Sequence, residues 1–127
     1  MIQFQKRGDM VDNARKILNE NGALDVETRV YQDEKYVRAA GNYLWLGVLM
    51  AIDAVFHVRA DRRTRVDIKD YQDAVSKRDK KLLGLVNSGY ETLHLSMTYD
   101  GNHSKGVSDE GFRLANSIID RCEMMLA

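Results

Sequence analysis

KYVRAAGNYLWLGVLMAIDAVF, Lys35 to Phe56, is the stretch on which the fold class turns. It is apolar on most sides, with no helix-breaking residue inside it, so it reads as one long helix enclosed by others. Asp33 stands where a capping side chain belongs, and the pattern continues to about Arg59. Such a helix spans roughly 40 Å. Ala40, Gly47, Ala51 and Ala54 repeat at spacings of seven, four and three, a stripe of small side chains where another helix can approach closely. The longest apolar run, Tyr43 to Val58, is interrupted by Asp53. It falls short of the ~20 apolar residues that span a bilayer. The expectation is the central helix of a soluble bundle, with no membrane association.

The flanking sequence supplies its partners. Upstream, Met10, Val11, Ala14, Ile17 and Leu18 recur at helical spacing from Asp9 to Asn21, and Gly22 follows as a stop. Residues 23–32 read as a connection. Downstream, Arg59 to Val66 is a polar, basic link. Asp67 and Asp70 form a capping pair, and Val66 can pack on Tyr71 as a hydrophobic staple. Asp79 can cap a fresh helix carrying Leu82, Leu83, Val86, Tyr90, Leu93 and Met97, so a break is expected near Ser76 to Asp79. Tyr99-Asp100-Gly101-Asn102 reads as a stop and turn. A last helix is expected from Ser108, with Val107 and Phe112 as its staple pair. No strand pattern competes. The fold class expected is all-α: an up-and-down bundle of four or five helices, one domain over residues 1–127.

Composition agrees. The chain has 127 residues, 44% of them hydrophobic and 30% charged, which excludes a disordered chain. It contains no proline, a composition that long helices tolerate well. The single cysteine, Cys122, excludes an internal disulfide and suits a reducing compartment. The first residues carry no apolar signal core, so a cytoplasmic location is expected. Formal net charge is zero, but residues 58–81 hold nine basic against five acidic groups. A neutral total argues against a dedicated nucleic-acid binder, while the basic middle leaves room for a local anion site.

Three constellations carry chemical potential. Asp53 and His57 lie one helical turn apart, a candidate buried polar pair in which a carboxylate orients an imidazole. An i,i+4 pair at a helix end, or an Asp53 bonded to a tyrosine or arginine of a neighbouring helix, is the plainer alternative. Asn87, Tyr90, His94 and Thr98 follow spacings of three, four and four, which on an α-helix is one polar stripe: a candidate groove for a ligand or for RNA. Arg62, Arg63, Arg65, Lys77, Arg78, Lys80 and Lys81 are candidate anion-binding residues, though interleaved aspartates favour a self-paired surface. His57, His94, His103 and Cys122 match no common metal-ligand spacing, and no Gly-rich phosphate loop occurs. No catalytic set, cofactor or metal is expected.

The segments DYQDAVSKRDKKLLGLVNSGYETLHLSMTYDG (Asp70 to Gly101) and Lys35 to Phe56 resemble a small family of bacterial proteins without assigned activity. More remotely, the helix order resembles HEPN-like bundles. That resemblance implies dimerisation, sometimes a nucleotidyltransferase partner in toxin–antitoxin systems, and in some members RNA cleavage. The cleaving members carry an arginine, then four to six residues, then a histidine. Here His94 is preceded at those positions by Asn87, Ser88 and Gly89. The reading that follows is a non-catalytic protein-interaction module, a homodimer. An RNA-binding or RNA-cleaving domain and a binder of small ligands in the bundle interior are the alternatives.

Overall fold

The computed structural model describes residues 2–59 and 66–127, with side chains from Gly8 onward. The order of elements is α1 (Ile2–Asn21), β1 (Leu24–Asp25), β2 (Val30–Tyr31), α2 (Glu34–Phe56), α3 (Ile68–Ser76), α4 (Lys80–Gly89), a π-helical segment (Tyr90–Tyr99) that continues α4 without a break, and α5 (Lys105–Leu126). The architecture is a compact all-α, five-helix, up-and-down bundle.

α2 is the central rod. Val37, Ala40, Leu44, Val48, Ala51 and Ile52 have no solvent exposure. It packs against α1, α5 and the π segment. Burying a side chain of leucine or valine size contributes about 1.5–3 kcal/mol, so this face is the main source of stability. By length and composition α2 is apolar enough to cross a membrane, yet half of its most apolar window is covered by the rest of the bundle. The small-residue stripe is used inside the chain, since Ala40, Gly47 and Ala51 are all buried.

The helix starts follow local chemistry. Asp33 caps α2, accepting from the Lys35 N–H. Asp67 and Asp70 exchange side-chain-to-backbone bonds as a full capping box on α3. Asp79 caps α4 by accepting from the Leu82 N–H at 3.0 Å, and the break at Ser76–Asp79 is present. Asp79 also takes a two-pronged ion pair from Arg121 of α5, at 2.7 and 3.0 Å. That pair ties the α3–α4 corner to the last helix. Cys122, next along α5, is wholly enclosed.

Three boundaries differ from expectation. α1 starts at Ile2, seven residues earlier than its apolar spacing shows. The 23–32 connection holds a two-residue antiparallel hairpin pairing Leu24 with Tyr31 and Asp25 with Val30. α5 starts at Lys105, not Ser108. The last two differences share a cause. The Tyr31 N–H donates to the His103 carbonyl and the Lys105 N–H to the Arg29 carbonyl, both at 2.9 Å. This long-range bridge organises the chain just before α5 and lets the helix begin early. Ser108 is then an interior residue, with its hydroxyl bonded back to the Ser104 carbonyl.

Candidate functional site

The π segment sets the geometry of the site. A π-helix closes its hydrogen bonds over five residues, so its turn is wider than an α turn, and such segments recur at functional sites. Here the Thr98 hydroxyl donates to the Leu93 carbonyl, five residues back, at 2.7 Å. Two glycines on neighbouring helices make room for the wider helix. A Cβ on Gly41 of α2 would lie 2.6 Å from the Met97 Cβ, and one on Gly111 of α5 would lie 2.8 Å from the Met97 sulfur.

The segment's last four carbonyls are all answered. Asn102 N–H bonds Ser96 O at 2.8 Å, and Gly101 N–H bonds Met97 O at 3.1 Å. The Arg38 guanidinium of α2 takes the Thr98 carbonyl at 3.1 Å and also the Tyr99 carbonyl. Gly101 sits at φ +62°, and a Cβ there would meet the Arg38 Nε at 2.7 Å. A cation at the negative end of a helix, filling carbonyls that a helix cannot satisfy by itself, stabilises that end.

The wide turn also re-sorts the polar stripe. Nine residues at about 100° each would put Tyr99 opposite Tyr90 on an α-helix. The π turn, with roughly four to five residues, returns it to the same side. Tyr90 and His94 stack with ring centroids 5.2 Å apart, and Tyr99 meets His94 edge-on at 5.6 Å. Trp45 of α2 packs against both Tyr90 and His94, at 5.8 and 5.9 Å. These contacts join four aromatic rings across two helices. Tyr99 was missed by sequence reasoning because the stripe was drawn with α spacing.

By the same logic the four-residue groove does not assemble as drawn. Asn87 accepts from the Gln72 amide of α3 at 2.9 Å. Thr98 turns to its own helix and lies against Gly41. Only Tyr90 and His94 line the cleft that forms between α2, the start of α3 and the π segment. That cleft measures about 360 Å³. Trp45 and Tyr71 are its most deeply buried liners, at 6% and 3% exposure. Leu49, Val66 and Ile68 supply aliphatic wall, and among the described residues Asp67 is the one acid lining it.

Asp53 supports this cleft from beneath. Its carboxylate accepts from the Tyr71 hydroxyl at 3.0 Å and from the Arg59 N–H at 3.2 Å. The proposed Asp53–His57 side-chain pair is therefore not formed. His57 is the exposed, left-handed C-cap of α2 (φ 54°), tied to Asp53 only through its backbone N–H. The plainer alternative, a tyrosine partner on a neighbouring helix, is what the structure has. Burial, and then the negative charge of Asp53, push the Tyr71 phenol up to about 12.

The basic run does not converge either. Lys77, Arg78, Lys80 and Lys81 are exposed around the α3–α4 turn, and the Arg78 guanidinium lies 5.0 Å over the Phe56 ring. Asp79 sits among them, its carboxylate occupying the helix N-terminus that an external anion would need. Arg62, Arg63 and Arg65 lie outside the described residues. Among the described residues, no group of three or more His, Cys, Asp or Glu side chains is placed to hold a metal ion. No known catalytic constellation is seen among them.

A family model described as Domain of unknown function (DUF5618) matches residues 3–124. The chain belongs to this family. Among solved structures, it is similar to a protein of unknown function from Dyadobacter fermentans. That likeness has 36% identity and a TM-score of 0.86, and covers 98% of this chain and 96% of the other. No curated protein matches the chain. The similarity of Asp70–Gly101 and Lys35–Phe56 to an uncharacterised helical family is therefore shown for DUF5618.

Proposed function

We propose that this DUF5618 protein is a non-catalytic binding module whose recognition site is the aromatic cleft. One observation carries the reading: Tyr90 and His94 of the π segment stack on each other and against Trp45 where all three line the cleft, and the π register, at the cost of regular α hydrogen bonding, adds Tyr99 edge-on to His94. The cleft lies within the size range of small-molecule sites and combines apolar walls with a few polar tips, as such sites do.

The experiment uses the chain's single tryptophan. Trp45 lines the cleft, so its fluorescence reports occupancy directly. A small-molecule library is screened by Trp45 emission and by melting temperature. A ligand held at 100 times its Kd stabilises the fold by about 2.7 kcal/mol. The expected result is at least one compound that moves both signals in the native protein and neither in His94→Ala. A screen without such a compound, together with protein purified from its native cell carrying no bound small molecule, overturns the reading.

A homodimeric interaction module is the second reading. Exposed Leu46, Met124 and Leu126 favour it, because large apolar groups left in water are frequent at subunit contacts. Sedimentation showing a monomer at high concentration removes it. The RNA-cleaving reading rests on His94 and needs a nearby arginine; residues 87–89 offer none.

A further inference from the structure

A second cavity, of about 480 Å³, lies where the end of α1, the β1–β2 hairpin and the start of α5 meet. It shares no lining residue with the aromatic cleft. Backbone bonds fix its frame. The Tyr31 N–H donates to the His103 carbonyl and the Lys105 N–H to the Arg29 carbonyl, both at 2.9 Å. The Gln32 N–H reaches the Gly22 and Ala23 carbonyls at 3.1 and 3.0 Å.

Tyr31 is the decisive residue. It lines the cavity and is only 7% exposed. Its ring is pinned against the turn after α1, where a Cβ on Gly22 would lie 2.7 Å from it. Yet its phenol hydroxyl has no hydrogen-bond partner among the described residues, whereas that of Tyr71, at 3% exposure, bonds Asp53. A buried hydroxyl left alone costs stability, and in folded proteins such groups are nearly always answered. Other unanswered groups surround it. In the last turn of α1 the Leu18 carbonyl accepts from the Gly22 N–H at 3.0 Å, but those of Asn19, Glu20 and Asn21 accept no backbone N–H among the described residues. The Asn19 and Asn21 side chains, both exposed, make no hydrogen bond among them either. Lys105, by contrast, is already paired with Asp109 at 2.7 Å, and the Glu20 carboxylate stands in water, where a charge attracts weakly. Neither sign of charge is favoured. What remains is a mixed set of neutral donors and acceptors beside the aliphatic side chains of Leu18 and Leu24.

We propose that this cavity binds a small neutral polyol, one sugar-like ring in size. A hydroxyl donates and accepts at once, which suits a phenol, two amides and bare carbonyls in one place. The C–H face of the ring lies on Leu18 and Leu24. A charged ligand would lose hydration without meeting a free counter-charge. The volume lies within the range of small-molecule sites.

The test is a titration of the isotope-labelled native protein with glucose, galactose, mannose and myo-inositol, followed by the amide resonances of residues 18–32. Tetrahydropyranyl methanol, a sugar ring with one hydroxyl, and glucosamine and glucuronate, sugars that carry charge, are the controls. The expected result is at least one neutral polyol that moves the Asn19, Asn21 and Tyr31 signals saturably, with the single alcohol moving none and the charged sugars binding no tighter. Tyr31→Phe deletes the hydroxyl alone. It should weaken that binding about three- to tenfold, the size of one neutral hydrogen bond. Without ligand it should melt no lower than the native protein, because the hydroxyl has no partner to lose. No saturable shift with any of the four polyols, equal binding of the single alcohol, tighter binding of a charged sugar, or unchanged affinity in Tyr31→Phe overturns the proposal. So does a lower melting temperature of Tyr31→Phe, which would mean that the phenol is already bonded within the protein. Trp45 emission reads the aromatic cleft separately, so either site can fail without the other.

Discussion

Gly41 and Gly111 both approach Met97, but they differ in what an added methyl would strike. At Gly41 the obstacle is the Met97 Cβ at 2.6 Å with the Leu93 carbonyl at 3.0 Å; at Gly111 it is the movable Met97 sulfur. Backbone-anchored overlap costs about 1–3 kcal/mol, whereas a flexible side-chain end can give way. We expect Gly41→Ala to lower urea-unfolding stability by about 2 kcal/mol. Gly111→Ala should be near neutral, helped by alanine's better helix propensity. Equal losses would show that the π segment does not depend on the close approach at Gly41. Tyr71 supplies a second residue-level outcome. With its phenol raised to about 12, the folded state holds the Tyr71 proton more tightly than the unfolded chain does. The stability it contributes is intact below the ordinary phenol value near 10 and is lost as pH rises toward 12. Ultraviolet titration should find one of the six tyrosines ionising last, and Tyr71→Phe should remove that last step.

Among the helices, the Asp79–Arg121 pair is the clearest joint. The hydrogen bond from Arg121 and those from the Leu82 and Lys81 N–H groups hold the Asp79 carboxyl below the ordinary carboxylate range, against the opposing effect of burial. A depressed folded value means stability that is present above the unfolded carboxylate pKa and lost as pH falls through the folded one. Asp79→Asn keeps the cap and should melt lower than wild type near neutrality, with the two curves converging in acid. Asp79→Ala also loses the cap and should cost about 1–2 kcal/mol. The caps show what was legible. Asp33, Asp67 with Asp70, and Asp79 act on N–H groups two or three residues away, so their spacing in the chain was enough. The π register was not legible, because it depends on Gly41, Gly111 and Arg38, each remote in sequence from Tyr90–Tyr99. For that reason Thr98 was placed in the groove and Tyr99 was left out. The early start of α5 was hidden similarly, since Arg29 and Tyr31 organise it from more than seventy residues away. The hydrogen bond between Asp53 and Tyr71 could be named only as an alternative, because eighteen residues and a helix corner separate the two.

For the bundle as a single body, α2 was the decisive and most readable part. Its apolar surface required a surrounding layer of helices, and α1, α5 and the π segment provide it. Leu44, fully buried near its middle, is the place to test that dependence. Leu44→Ala should cost about 3 kcal/mol in equilibrium unfolding, and a loss under 1 kcal/mol would mean that the rod is not the keystone. The enclosed sulfur of Cys122 gives this molecule a built-in clock. A maleimide in the surrounding buffer can alkylate only those copies that have momentarily come apart, so the labelling rate counts such excursions in native conditions. A compound that occupies the space beside Trp45, whose lining does not include that thiol, should slow the clock without touching it.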